Sequence, residues 1–273
     1  MASSPTDGGA DMKEHALVNR VSGFVRSLVH PDAVRTNGDT SLLRLIAMIT
    51  MVIDHFGKMC FPQIPEMRLI GRLAFPLFAY GIAAGAVYTK NGTKYLSRIV
   101  LLALISQPLY AVALAHEVPA MYAVPFAQNP LGCITTFYLS SWAKPNILFQ
   151  LALGLCIILS LRNKQWTLAA GFYLLSFFLR SKLDYGIEGV HLMLLFYILC
   201  AHPKLALIAW SAYLIYWSRG FGYTLWGMRF GMRIFALPAV ILCALPMKRR
   251  FTLPRWLTYC FYPAHLVVLM LVS

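Results

Sequence analysis

The chain is 273 residues long, with 59% apolar residues, 12% charged residues and a formal net charge of +14. Its mean hydropathy is +0.64. A soluble domain carries about a quarter charged residues, so two ordinary globular domains are excluded and one membrane-embedded bundle is expected. The positive charge invites nucleic acid or acidic lipid as a partner. The basic residues gather at predicted helix ends, and no basic groove or RNA-binding signature is present, so the reading is the lipid bilayer and no nucleic acid.

Residues 1–12 are rich in Ser, Gly and Asp and read as a disordered tail without a signal-peptide core. In residues 13–40, Leu17, Val21, Phe24 and Leu28 recur at helical spacing among Lys13, Arg20 and Arg26. That pattern predicts a basic amphipathic helix on the membrane surface, ended by Pro31, and then a linker. Residues 41–273 form the membrane domain. Spans are predicted at 42–59, 69–88, 95–115, 146–161, 165–179, 185–201, 204–217, 230–245 and 256–272. The expected fold is therefore an all-α polytopic transmembrane helix bundle of about nine spans, within a range of roughly eight to eleven. The segment 116–145 reads as a long loop, with Pro119, Pro125, Pro130 and Pro145 and little charge.

Lys/Arg bias sets the orientation. With the N-terminus cytoplasmic, the larger share of basic residues falls inside, including Arg44, Lys94, Arg98, Arg162 and Arg250. The segment 116–145 then faces outward. The six cysteines show no C-x-x-C spacing, so no metal or redox site is expected. Cys60 and Cys133 both fall in outer segments, where a disulfide is conceivable. Gly81 and Gly85, and Gly227 and Gly231, form G-x-x-x-G pairs, read as ordinary helix packing.

Ionisable residues inside a membrane are costly and usually functional. Here they are Asp54, His55, Arg72, Asp184, Glu188, His191 and His265, with Arg44 at the mouth of the first span. Arg44 and His55 are eleven positions apart, about three turns plus 20°, so they share a helix face roughly 16 Å apart. Met48 and Met51 lie between them on that face. A guanidinium suits phosphate and a deep imidazole suits proton transfer or acyl transfer. The separation is comparable to a pantetheine arm. Asp54 points about 100° off the His55 face, so it pairs more naturally with a cation from another helix, Arg72 being the candidate. Asp184 and Glu188, four apart, are expected on one helix face, where they would bind a cationic acceptor amine or simply start a helix. Pro263 is expected to loosen the last helix and aim His265 inward. Asn146 reads as a cap or a site residue.

These residues sit in a string of landmarks. They are Leu43-Arg44-Leu45-Ile46-Ala47 with Thr50-Met51-Val52-Ile53-Asp54-His55, and Gly71-Arg72-Leu73-Ala74-Phe75-Pro76-Leu77-Phe78. Lys94-Tyr95-Leu96-Ser97-Arg98, Asn146-Ile147-Leu148-Phe149, Asp184-Tyr185-Gly186-Ile187-Glu188-Gly189-Val190 and Tyr262-Pro263-Ala264-His265-Leu266 follow in order. Together they resemble the TraX family of bacterial membrane proteins, over most of the chain after Ser41. The resemblance implies an acetyltransferase of the bacterial cytoplasmic (inner) membrane that uses cytoplasmic acetyl-CoA. It is also similar to the wider group of transmembrane acyltransferases, with their basic residue, ten positions and a histidine. Carried onto this sequence, it implies His55 and Asp54 as catalytic residues and Arg44, Arg72 and Arg98 as donor-binding residues. Asn146, Asp184, Glu188 and His265 would be substrate-binding. The acceptor implied is the N-terminal amine of a pilin protein, or a glycan. Arg72 falls on the outer side of the predicted topology, at odds with a role beside the donor. About 40 N-terminal residues are additional to the family pattern, and Ala84 stands where the family often has an acid. A transporter or flippase, and a non-catalytic pilus or conjugation assembly protein, are the alternatives. The absence of an internal repeat counts against the first.

Overall fold

The computed structural model describes residues 8–225, 228–250 and 252–273. Residues 1–7 of the expected tail, and Gly227 of the second glycine pair, lie outside these residues. Helix α1 spans Gly8–Val29 and leaves Leu17, Val21 and Phe24 exposed, as an apolar stripe on a surface helix would. The linker that follows is not loose. Thr36, Asn37 and Asp39 are buried, and buried backbone must find partners. Arg35 and Thr36 N–H groups donate to the Cys200 carbonyl, and the Asn37 N–H to that of Cys243. The Tyr80 hydroxyl donates to the Asn37 carbonyl at 2.7 Å.

Asp39 caps α2 (Thr40–Cys60), accepting the Leu42 N–H at 3.1 Å and the Arg250 N–H at 2.9 Å. The mouth of the first span is thereby tied to the segment before the last helix. The expected second span is broken into α3 (Pro65–Gly71) and α4 (Ala74–Tyr88), with Arg72 closing the first piece. Then come α5 (Gly92–Ala113), α6 (Pro130–Ser140), α7 (Ile147–Arg162), α8 (Trp166–Phe178), α9 (Gly186–Leu199) and α10 (Pro203–Trp217). Strands β1 (Arg219–Leu225) and β2 (Met228–Phe230) pair antiparallel. Helices α11 (Leu237–Ala244) and α12 (Arg255–Val272) complete the chain.

Three features depart from the sequence reading. The segment expected as a loop contains α6, started by Pro130 in its first turn and capped by Asn129, whose side chain accepts the Gly132 N–H. Among the described residues the helices are interrupted by a two-stranded sheet, the β1–β2 hairpin, which no hydropathy pattern announced. The span expected at 230–245 is a 3-10 turn, Met232–Ala236, followed by the eight-residue α11. Among the described residues, three helical segments are long and apolar enough to cross a membrane, Thr40–Cys60, Pro65–Tyr88 (α3 and α4 taken together) and Gly92–Ala113. A fourth is added if Pro130–Ala143 and Ile147–Arg162, bent by 68°, count as one. Nine full-length spans are not found among the described residues, because α8 to α11 are too short: a fourteen-residue helix is about 21 Å long against a hydrocarbon core of about 30 Å.

Helix α4 is the hub. Leu77, Ala79, Tyr80, Ala83 and Ala86 are fully buried, and the helix packs on α2, α7 and α9. Its alanines and glycines let those backbones come close. Beneath it the rings of Tyr80, Phe196 and Trp210 meet edge-on, and the Trp210 N–H donates to the Leu195 carbonyl at 2.8 Å. Leu101, Ile105, Leu174 and Phe178 stand exposed on the outside, the disposition expected of lipid-facing helices.

Candidate functional site

A cavity of about 650 Å³ runs beside α2 and is lined by Arg44, Met51, Asp54, His55 and Lys58 from that helix. The stripe expected from helical spacing therefore faces an interior space. Met48 does not line the cavity; it is buried in the core. Gly81 lies against the Arg44 side chain and Tyr95 is close to it, while Gly85, packed on Tyr95, and Arg98 also line the cavity, so the first glycine pair gives room to the cavity. Arg44 donates to the Thr40 carbonyl at 3.0 Å and to the Thr40 hydroxyl at 3.1 Å, both on its own helix. Among the described residues neither Arg44 nor Arg98 is paired with a carboxylate, which leaves two guanidiniums available to an anion.

Three turns along α2, the wall is built from several elements. His55 Nδ1 lies 2.9 Å from His265 Nε2, and His265 Nδ1 lies 3.0 Å from the Phe261 carbonyl. A carbonyl only accepts, so His265 carries its proton on Nδ1 and offers the Nε2 lone pair. His55 must then donate through Nδ1, which leaves the His55 lone pair on Nε2. This chain of donors fixes the tautomer of a histidine that lines the cavity. His265 is buried on α12 behind His55, and Pro263 lies inside that helix.

Asp54 is turned away from His55. Its Oδ1 accepts from Arg68 Nε at 2.8 Å and from Arg72 Nη2 at 3.2 Å, so it pairs with cations from the next element, Arg72 among them. Gly71 permits the approach: a Cβ there would collide with the Asp54 side chain. Arg72 thus belongs to the His55 end and is separated from Arg44 and Arg98. Asp184 also lines the cavity, where it accepts from Lys144 Nζ and the Tyr110 hydroxyl, both at 2.8 Å. It does not share a helix face with Glu188. Asp184 lies in the turn before α9, and Gly186 has a φ of +59°, so the helical register starts after it.

Three expected site residues do not line the cavity: Asn146, Glu188 and His265, which stands behind His55. Asn146 is buried and fully engaged: its side chain accepts the Leu148 N–H as the cap of α7 and donates to the Ala103 carbonyl at 2.8 Å, and its backbone N–H donates to Gln107 Oε1 at 2.9 Å. Glu188 sits on the far side of α9, near His191, which is bonded to Tyr173 at 2.9 Å. Conversely, Lys58, Arg68, Tyr110, His116 and Lys144 line the cavity without having been singled out. Lys58 had a signal, since it follows His55 by three positions on one helix face. Burial, and then the charges of Lys58 and Lys144, hold the His116 imidazole below its usual range. Cys60 and Cys133 are free thiols, so the conceivable disulfide is not formed.

The sequence model of a family described as TraX protein matches residues 39–273. The chain belongs to the TraX family. The TraX match begins at Asp39, the cap of α2, so it takes in the whole cavity wall and leaves out α1. An uncharacterized protein of Rickettsia prowazekii is 28% identical over 173 residues, 60% of this chain and 56% of that protein. A probable fimbrial assembly protein, FimC of serogroup H1, from Dichelobacter nodosus is 30% identical over 79 residues, 28% of this chain and 32% of that protein. The matches thus span from about a third to just over half of these relatives' lengths. No solved structure matches the chain.

Proposed function

We propose that this TraX-family membrane protein is an acyltransferase that takes acetyl from acetyl-CoA at its Arg44 end and delivers it to an amine or hydroxyl at its His55 end. The observation that carries the proposal is one cavity lined by two guanidiniums that no carboxylate pairs among the described residues and by an imidazole of fixed tautomer. Arg44 and Arg98 would hold the donor phosphates. The pantetheine arm would run along Met51, with the thioester beside His55. In the step itself, His55 Nε2 takes the proton of the acceptor as its nitrogen or oxygen bonds to the thioester carbon. The carbon–sulfur bond then breaks, and the CoA thiolate takes that proton back from Nε2. The same Nε2 could instead receive the acetyl group first, as an acetyl-histidine, and pass it on. His265 keeps Nε2 unprotonated at the outset in both routes.

In this reading the Lys/Arg bias places the Arg44 end at the cytoplasmic face of the inner membrane, where acyl-CoA is found. The shorter helices α8 to α11, tilted or partly crossing, would complete a polytopic bundle of about nine passes. Similarity to a probable fimbrial assembly protein supports a role connected with pili or conjugation, and favours a pilus-linked acceptor. The test is acetyl-CoA turnover by the purified protein against His55→Ala. Turnover that disappears with His55 is expected. A transporter or a non-catalytic assembly protein gives no His55-dependent turnover.

A further inference from the structure

The His55 end of the cavity carries more positive charge than its own structure uses. Four cations line it, Lys58, Arg68, Arg72 and Lys144, against two carboxylates, Asp54 and Asp184. Both carboxylates are already ion-paired, Asp54 with two arginines and Asp184 with Lys144. Lys58 has a backbone partner instead: its Nζ donates to the Leu114 carbonyl at 2.6 Å. An ammonium has three donors, so two remain. The negative end of α2 offsets part of this charge, but an excess persists between low-dielectric helices, where fields are focused and uncompensated charge is expensive. No carboxylate lining the cavity is left free among the described residues to hold a cationic amine.

We infer that the acceptor is an anionic saccharide, one bearing a carboxylate or phosphate within a few ångströms of the hydroxyl that is acylated. The inference rests on the acyl-transfer reading and names its acceptor class. Lys58 follows His55 by three residues, one turn further along the same face. A sugar acid whose anion meets Lys58 therefore sets a ring hydroxyl one helical turn back, at His55 Nε2. The hydroxyl loses its proton to Nε2, its oxygen bonds to the acetyl carbon, and the CoA thiolate leaves with the proton. A peptide amine offers the opposite charge to the same surface.

The test uses the full-length protein in lipid nanodiscs, titrated with tetragalacturonate, glucose 6-phosphate, neutral maltotetraose and a tetrapeptide with a free N-terminal amine. Tetragalacturonate or glucose 6-phosphate is expected to bind at least about tenfold more tightly than maltotetraose or the peptide, and the stronger of the two tells carboxylate from phosphate. Lys58→Gln should abolish that preference and Lys58→Arg should keep it. Added salt should weaken anion binding in the unmodified protein and leave maltotetraose unaffected, which decides the matter even where Lys58→Gln fails to fold. Equal binding of the neutral sugar, tighter binding of the peptide, or an unchanged preference in folded Lys58→Gln overturns the inference. His55→Ala should lose acetyl-CoA turnover and retain anion binding, so the acceptor and the chemistry can fail separately.

Discussion

The contact between His55 and His265 is where the account is most exposed to a single substitution. His265→Ala removes the acceptor that lies 2.9 Å from His55 Nδ1. The His55 N–H is then left without a partner in a buried position, at a cost of about 1–3 kcal/mol. The imidazole is also free to move its proton to Nε2, the nitrogen required as base. Since about 1.4 kcal/mol is tenfold in rate, kcat for acetyl-CoA turnover should fall by about 5- to 150-fold. KM for acetyl-CoA should hardly move, because in the proposed reading the donor phosphates would be held roughly 16 Å away at Arg44. His265→Asn offers an amide oxygen to the same N–H and should recover part of the loss. The assay is steady-state release of CoA thiol from nanodisc-embedded protein, with a melting curve to show that each variant is folded. A folded His265→Ala with unchanged kcat, or one whose defect lies wholly in KM, refutes the reasoning.

Arg44→Ala should do the reverse, raising KM for acetyl-CoA by about ten- to a hundredfold with little change in kcat, since a charge-assisted phosphate contact of about 1.5–3 kcal/mol is lost. Asp54→Asn strands Arg68 and Arg72 together. With Asp54 16% and Arg68 33% exposed, the loss is about 1–3 kcal/mol, less than for a fully buried pair, and it should appear as a lower melting temperature. Burial holds His116 below its ordinary value of 6.5. The unfolded chain therefore binds a proton that the folded protein refuses, and stability falls as pH drops below about 6.5. The melting temperature of His116→Gln should depend less on pH across that range. Free Cys60 and Cys133 should both be labelled by a thiol reagent without prior reduction, and Cys133→Ser should leave the melting temperature unchanged.

The long apolar runs of α2, α4 and α5 were legible from hydropathy, and so was the stripe from Arg44 to His55, because one helix's geometry dictates it. The pairing of Asp54 with Arg72 followed from the 100° that separates Asp54 from its neighbour. What could not be read lies between distant segments. His55 and His265 are 210 positions apart, and no periodicity joins them. Asp184 and Glu188 looked like a helical pair until Gly186 adopted a positive φ between them. Helix α6 carried its signals, Asn129 and Pro130, but they lay in a stretch whose prolines argued for a loop. The break before α11 comes where Gly231 and Pro238 interrupt an apolar run whose composition alone fits a span. The Asn146 side chain is spent on two backbone groups, the Ala103 carbonyl and the Leu148 N–H, a use invisible without the fold around it.

The most direct test is photo-crosslinking with an acyl-CoA whose short acyl chain carries a photoreactive group, followed by peptide mapping. The account predicts adducts on Met51, His55 or Tyr262, all of which line the cavity, suppressed by acetyl-CoA and weakened by Arg44→Ala. Adducts on outward-facing positions such as Ile49, insensitive to acetyl-CoA, would contradict it.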